Sequence, residues 1–444
     1  MSRLTPIRAL TAGAAMAAMA LAPPAAAAKQ PPSQAPVVLT AARVFTATSE
    51  RPLAPGMVIV DGDRIAQVGA HLAIPPGAQV IDLRDATLLP GFIDSHVHLA
   101  SEMSDDWYRD FYHELLRFPA EQALYAAQNA RRILAAGFTT VRDVGSSYYV
   151  SLGLRNAIAA GVAEGPRMLI ANYAVGGTGG HGDGKPFPPQ LIAPEGPITG
   201  VCNGTAECRA AVRYQIKYGA DVIKFMPSGG VLSLSDPVDV PELTQEEMDA
   251  IVSEAHAWKR KVAAHSHGDA AAKMAIRAGV DSIEHGTFLE DDTLRLMKEN
   301  GVYLVPTLFA GEWVGANADR YPPAIAAKAR AASARIQQTF RRAVEIGVKV
   351  AFGTDAAVEP HGLGGREFSL MVANGMTPAQ ALLAATAGGS DLLGLSDQIG
   401  TLEAGKQADL IAVPGDPLKD VRATEKVCFV MQGGRVVRNE PCGG

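Results

Sequence analysis

The chain has 444 residues, with 40 Lys+Arg against 46 Asp+Glu, a formal net charge of −6 and 48% hydrophobic residues. So much apolar content at so little net charge excludes an extended disordered chain, and the slight acid surplus argues against a nucleic-acid binder. No repeat of about 20–50 residues runs through it, which excludes a stacked array and leaves an α/β enzyme with ample core.

In chain order, Met1-Ser2-Arg3 and Arg8 precede an apolar, small-residue run from Ala9 to Ala22, closed by Pro23-Pro24 and four alanines to Ala28. A basic start, a short apolar run and an Ala-x-Ala end mark residues 1–28 as a secretory signal peptide. A membrane span would need about 20 apolar residues, and this run is shorter. The expectation is an exported protein, periplasmic or secreted, with neither membrane nor nucleic acid among its partners. Residues 29–36, Pro- and Gln-rich, read as a flexible leader.

Residues 37–87 carry short β runs. Met57–Val60 and Ile65–Val68 flank Asp61-Gly62-Asp63 and predict a hairpin. Residues 398–444 look alike, with Ala408–Val413, Val427–Met431 and a Gly433-Gly434 turn. The two fragments, one from each chain end, are expected to complete one small β-sandwich around residues 88–397.

That central region alternates apolar strands with amphipathic helices. The strands are expected at Gly91–His98, Thr139–Val144, Arg167–Tyr173, Asp221–Met226, Lys261–His265, Ser282–Gly286, Tyr303–Leu308 and Val350–Asp355. Helices are expected between them, among them Ala120–Ala136, Glu246–Lys259 and Ile325–Ile346. Eight such units suit a (β/α)8 TIM barrel, with a doubly wound sheet as the alternative.

Export gives the four cysteines a meaning, because an even number in an oxidising compartment favours disulfides. Cys202 and Cys208 flank the Asn203-Gly204 turn, so a local bridge between them is expected. Reflection through the Gly433-Gly434 turn lands three residues short of Cys442, so a bridge from Cys428 to Cys442 stays open.

The chemistry gathers at strand ends. His96 and His98 are two apart, so on an extended strand both face one side and form a ready metal pair. Lys224 sits inside the apolar strand Asp221–Met226, where a bare ammonium is costly and must be paired, modified or coordinated. His265, His285 and Asp355 close three further strands. A barrel brings all these ends to one rim, whereas an open sheet strings them along an edge. Singly, each has a structural reading, such as a packed His or an Asp capping the next helix; together they point to a metal site.

His267 follows His265 by two and faces the same way, a candidate substrate contact. His181 lies on a Gly-rich loop after the third strand and is another. That loop approaches a phosphate-binding pattern at Gly179 to Lys185, but Pro186 replaces the needed Ser or Thr. Tyr148 and Tyr149 follow the second strand and are candidate pocket residues, with packing as the alternative. Arg142 and Asp143 are expected to pair at the barrel rim.

The set His96-Val97-His98, Lys224, His265, His285 and Asp355, flanked by the two β fragments, resembles the amidohydrolase superfamily and its binuclear-metal pattern. Tyr218 to Lys224 and Gly177 to Gly182 resemble its prolidase-like branch, which includes Xaa-Pro dipeptidases and amidohydrolases that cleave ochratoxin A. The resemblance implies two divalent ions, with zinc expected and Mn, Co or Fe open. It implies a carbon-dioxide-derived carboxylation of Lys224, which would bridge the two ions. His96, His98 and Asp355 would hold one ion, and His265 and His285 the other. Asp355 would accept a proton from the attacking water and pass it to the leaving amine. The implied activity is hydrolysis of the amide or peptide bond of a small N-acyl amino acid or dipeptide, in a homo-oligomer. Three alternatives stand beside it: a Xaa-Pro dipeptidase, a mononuclear deaminase or imidazolone hydrolase, and a non-catalytic binding protein. Lys224 speaks against the mononuclear enzymes, and the complete ligand set against the binder.

Overall fold

The computed structural model describes residues 35–442 apart from 105, 184–189, 191–194 and 235. The signal peptide and all but the last two residues of the leader lie outside the described residues, as does the Gly184-Lys185-Pro186 end of the Gly-rich loop.

Six strands open the chain: β1 (Val37–Ala41), β2 (Arg43–Val44), β3 (Gly56–Asp61), β4 (Arg64–Gly69), β5 (Gln79–Asp82) and β6 (Thr87–Pro90). Seven follow in the central region: β7 (Phe92–Val97), β8 (Phe138–Asp143), β9 (Arg167–Ile170), β10 (Val222–Phe225), β11 (Lys261–Ser266), β12 (Ser282–His285) and β13 (Tyr303–Val305). Three close it: β14 (Leu410–Val413), β15 (Phe429–Gln432) and β16 (Arg435–Asn439).

Two sheets take up the end fragments, in the orders β4-β3-β1-β5 and β16-β15-β14-β6-β2. The second mixes both ends of the chain, with β6 antiparallel to β14 from Pro90 opposite Leu410 to Thr87 opposite Val413. Leu39, Val58 and Ile65 from the first sheet pack with Leu88, Leu410 and Phe429 from the second in one buried cluster. The β15–β16 turn is made by Gly433 and Gly434, both at positive φ, the geometry a tight hairpin demands and glycine supplies without strain. Both disulfides form: Cys202 pairs with Cys208 and Cys428 with Cys442, at Cα separations of 4.9 and 5.2 Å.

In the centre, β7-β8-β9 and β10-β11-β12-β13 are two runs of parallel strands. Lone parallel bridges join the runs into a closed ring: Val175 to Phe225, Leu304 to Val350 and Val97 to Ala356. The eighth expected strand, Val350–Asp355, is thus an extended segment held at intervals rather than a regular strand. Ala351 N–H donates to Leu304 O, Ser95 N–H to Phe352 O and Asp355 N–H to His96 O. Gly353 explains the departure. A Cβ there would stand 2.3 Å from Val305 Cγ1 and 3.0 Å from His96 Cβ, so the segment presses closer to its neighbours than side chains allow. The predicted helices appear as Pro119–Ala135, Gln245–Ala257 and Pro323–Ile346. Among the described residues no helix is long and apolar enough to cross a membrane.

Candidate active site

Parallel strands in a ring place their carboxyl ends on one rim, and the six sequence-predicted ligands meet there. His96 Nε2 and His98 Nε2 each lie 3.4 Å from Asp355 Oδ1. Lys224 Nζ is 3.4 Å from His96 Nε2. The His285 ring lies 4.9 Å from His96 and 4.6 Å from His265, centre to centre. His285 and Asp355 take left-handed backbone, at φ 68° and 70°, and Thr307 at the end of β13 does so at 48°. Such conformations cost about 1–3 kcal/mol each and persist where a site holds them.

Outward hydrogen bonds fix the rings. His96 Nδ1 is 2.7 Å from Glu284 Oε2, and the other Glu284 oxygen accepts from Arg142 Nη2 at 2.8 Å. His98 Nδ1–H donates to Gly145 O at 3.0 Å. Thr307 Oγ1 meets His285 Nδ1 at 2.8 Å, and Thr287 Oγ1 meets His267 Nδ1 at 2.7 Å. In each of these imidazoles the tied Nδ1 leaves Nε2 for the cavity, the arrangement that outer partners impose on metal-binding histidines.

Electrostatics prepare the same groups. Burial holds the His265 and His285 imidazoles well below their ordinary pKa, hence neutral. Burial pushes Asp355 upward, but His96 and His98 outweigh it and keep its carboxyl well below the usual range. Burial lowers the Lys224 amine to about 8 against the pull of Glu284 and Asp355. Neutral imidazoles, an ionised carboxylate and a weakened ammonium form a donor set that fits divalent cations. Two triads have ligand atoms within 4.8 Å of one another: His265, His267 and His285, and His96, His285 and Asp355.

These groups line a cavity of about 230 Å³ together with the aliphatic side chains of Val231, Leu232, Val314, Ala332, Ile336 and Val358. His181 and His267 both reach it. His181 stacks on His265 at 4.4 Å, and Ser233 Oγ lies 3.1 Å from its Nδ1. Burial lowers His181 to about 4 and His267 to about 3.

Two expectations are corrected. Tyr148 and Tyr149 are not part of this cavity's lining. Both take left-handed backbone at the turn before a helix; the Tyr148 side chain is exposed, and the Tyr149 ring packs on Tyr173 and Tyr218. Arg142 does not pair with Asp143, because neighbours on a strand face opposite sides. Arg142 points inward to Ser95 O, Ser282 Oγ and Glu284, while Asp143 Oδ2 accepts from Leu99 N.

Sequence reasoning missed Glu284 and Asp94. Glu284 is fully buried, and Arg142 and His96 overcome the cost of burial to hold its pKa at about 2. Asp94 accepts from the His96 and Thr354 backbone N–H groups and from Thr354 Oγ1, tying β7 to the segment that carries Asp355. The test applied to Lys224, a charge inside an apolar strand, picks out both.

The Amidohydrolase family pattern matches residues 87–437. Ochratoxinase of Aspergillus niger is 31% identical over 432 residues, spanning 92% of this chain and 88% of that protein. The crystal structure of a Xaa-Pro dipeptidase with bound methionine in the active site superposes at TM-score 0.88 and 40% identity, covering 91% of this chain and 100% of that one. A prolidase complexed with N-methylphosphonate-L-proline superposes at 0.82 and 31% identity, covering 91% and 100%. The chain belongs to the amidohydrolase family, in its prolidase-like branch, and is a hydrolase of amide bonds.

Proposed function

We propose that the protein is a two-metal hydrolase of small N-acyl amino acids and dipeptides, with ochratoxin A and Xaa-Pro dipeptides among its candidate substrates. One observation carries this reading: imidazole, carboxylate and lysine donors line the same cavity as a set of aliphatic side chains. The donors suit the metals and the aliphatic side chains suit an apolar acyl group or side chain.

In this reading His96, His98 and Asp355 would hold one ion and His265 and His285 the other, with an N-carboxylated Lys224 as a further ligand. Zinc suits these ligands. Ions bound there would supply Lewis-acid chemistry, acidifying water and polarising the amide carbonyl. The chain's own residues supply the rest. The lowered pKa of Lys224 raises the fraction of neutral amine able to add carbon dioxide. Ionised Asp355 takes a proton at Oδ1 or Oδ2 from the attacking water and returns it to the leaving amine. His181 and His267, kept neutral by burial, offer hydrogen bonds to the substrate. We also propose export: the signal-peptide pattern of residues 1–28 supports it, and two disulfides suit an oxidising compartment.

The experiment is a hydrolysis screen of Xaa-Pro and Xaa-Phe dipeptides, N-acyl amino acids and ochratoxin A with metal-loaded protein, run beside Asp355→Asn. The expected result is turnover of at least one class by the native chain and none by the variant, with folding and most metal retained. A metal-loaded native chain that cleaves no member of the screen refutes the substrate reading; a fully active Asp355→Asn refutes the assigned base.

A further inference from the structure

Ser228 and Pro241 meet in a lone antiparallel bridge, and the described residues between them form no regular strand or helix. Their backbone carbonyls therefore need partners that no ladder or helix supplies. One side chain takes three of them. Lys328 Nζ donates to Gly230 O at 2.7 Å, to Ser233 O at 2.7 Å and to Asp236 O at 3.0 Å. An ammonium has three donors and no acceptor, so this contact uses all of them. Partial burial lowers the Lys328 pKa, and the charges of Asp236 and Glu242 oppose that.

The lysine joins two parts of the cavity. Val231 and Leu232 stand between the pinned carbonyls of Gly230 and Ser233, and both line the cavity. Lys328, Ala332 and Ile336 are spaced four apart on the helix Pro323–Ile346 and share one side of it. Ala332 and Ile336 line the cavity too, and Lys328 continues their row past its edge. Val231 and Ala332 belong to one buried cluster, with Leu232 packed against it. The same loop braces His181, because Asp236 Oδ2 accepts from Ser233 Oγ at 2.7 Å and Ser233 Oγ meets His181 Nδ1.

We propose that Lys328 is a positioning residue that sets side-chain selectivity. By pinning the loop to the helix it fixes the gap between Val231-Leu232 and Ala332-Ile336, and with it the apolar group that the cavity accepts. The proposal rests on reading this cavity as the substrate pocket. Lys328 does not line the cavity and acts through the loop backbone. None of the six proposed metal ligands lies on the loop or on this helix, so metal content is expected to stay unchanged without it.

The test compares the metal-loaded native chain with Lys328→Met in two ways. The Gly230 amide donates to Asp236 Oδ2 and the Glu242 amide to Pro227 O at the neck of the loop. Hydrogen exchange at both is expected to quicken about tenfold in the variant, the effect of losing one hydrogen bond to a charged group, while strands β10 to β13 keep native rates. The second readout is the ratio of kcat/KM for Leu-Pro over Gly-Pro, or for Leu-Phe over Gly-Phe. It is expected to fall about tenfold, the least that a shaped apolar pocket contributes. A lysine that only stabilised the fold would lower both rates together and leave the ratio alone. Lys328→Gln, which keeps two donors, shows the same changes at smaller size should Lys328→Met fold poorly. Native exchange at both amides overturns the proposal, and so does a native ratio. A native chain that cleaves neither dipeptide series refutes the substrate reading and the selectivity with it, while the exchange rates alone decide whether Lys328 pins the loop.

Discussion

His96 Nδ1 and Glu284 Oε2 stand 2.7 Å apart with both side chains shut off from solvent, and Arg142 closes the far side of the same carboxylate at 2.8 Å. The carboxylate aims the imidazole and neutralises the arginine at once. Glu284→Gln keeps the shape and removes the charge. It is expected to weaken metal binding by about 10–100-fold, the usual effect of losing such an outer partner. It should also destabilise the fold by about 3–5 kcal/mol, because Arg142 is left as an unpaired buried cation. Competition with a metal indicator and urea denaturation read the two effects separately. Native values in both would leave Glu284 with no role at the site.

Gly353 lets the segment leading to Asp355 lie against β7 and β13. An added methyl meets Val305 Cγ1 at 2.3 Å and His96 at 3.0 Å, and part of that overlap is backbone. Gly353→Ala is expected to cost about 1–3 kcal/mol as an overpacked interior site. The strain falls on a proposed ligand, His96, so metal content per chain, measured by elemental analysis, should drop as well. Gly196→Ala, in open space and on extended backbone, controls for loss of glycine flexibility alone.

Asp281 accepts from Val262 N at 2.8 Å, from Lys261 Nζ at 2.8 Å and from His256 Nε2 at 3.0 Å. Burial raises its pKa, but these bonds and the Lys261 charge outweigh it and leave the carboxyl below its ordinary value of 3.8. A depressed carboxylate stabilises the fold above its unfolded pKa, and that stability drains away as pH falls through the lower folded value. Asp281→Asn should therefore cost about 1.5–3 kcal/mol at pH 7, the worth of a hydrogen bond to a charged group. The gap between native and variant should close below pH 4. A gap that stays constant from pH 7 to pH 3 would point to shape rather than charge.

Removing metal tests the donor set without reference to turnover. Ions that bind only the folded chain stabilise it by about 2.7 kcal/mol per site at one hundred times Kd. Chelation should lower Tm, and zinc should restore it. The effect should be smaller in His265→Ala, which loses one of the proposed ligands. A Tm indifferent to chelator would count against a metal centre built from these residues.

The site was readable where local pattern and chemistry coincide. An apolar strand ending in a histidine announces itself in a few residues, and the β/α rhythm says where such ends meet. The rest depended on contacts across the chain. Glu284 finds Arg142 and His96 far away in sequence, so its role cannot be read from its neighbours, although its presence in a buried strand was a visible anomaly. Tyr148 and Tyr149 were misjudged because position after a strand says nothing of the left-handed turn that diverts them. Residues 350–355 read as a strand by composition, but the close approach that Gly353 permits breaks the regular ladder.

The strand β6 has a consequence for how the molecule is completed. It is flanked by the two-residue β2 on one side and by β14 on the other, and Gly91 alone separates it from β7, which bears His96. During synthesis β6 must wait for Leu410–Val413 before its longer edge is closed, a pairing of high contact order and slow formation. A chain shortened ahead of Leu410 would lose β14, β15 and β16, three of that sheet's five strands, and leave β6 paired only with β2. The damage would be felt one residue upstream of the strand that bears His96, so the integrity of the tail bears directly on the candidate site.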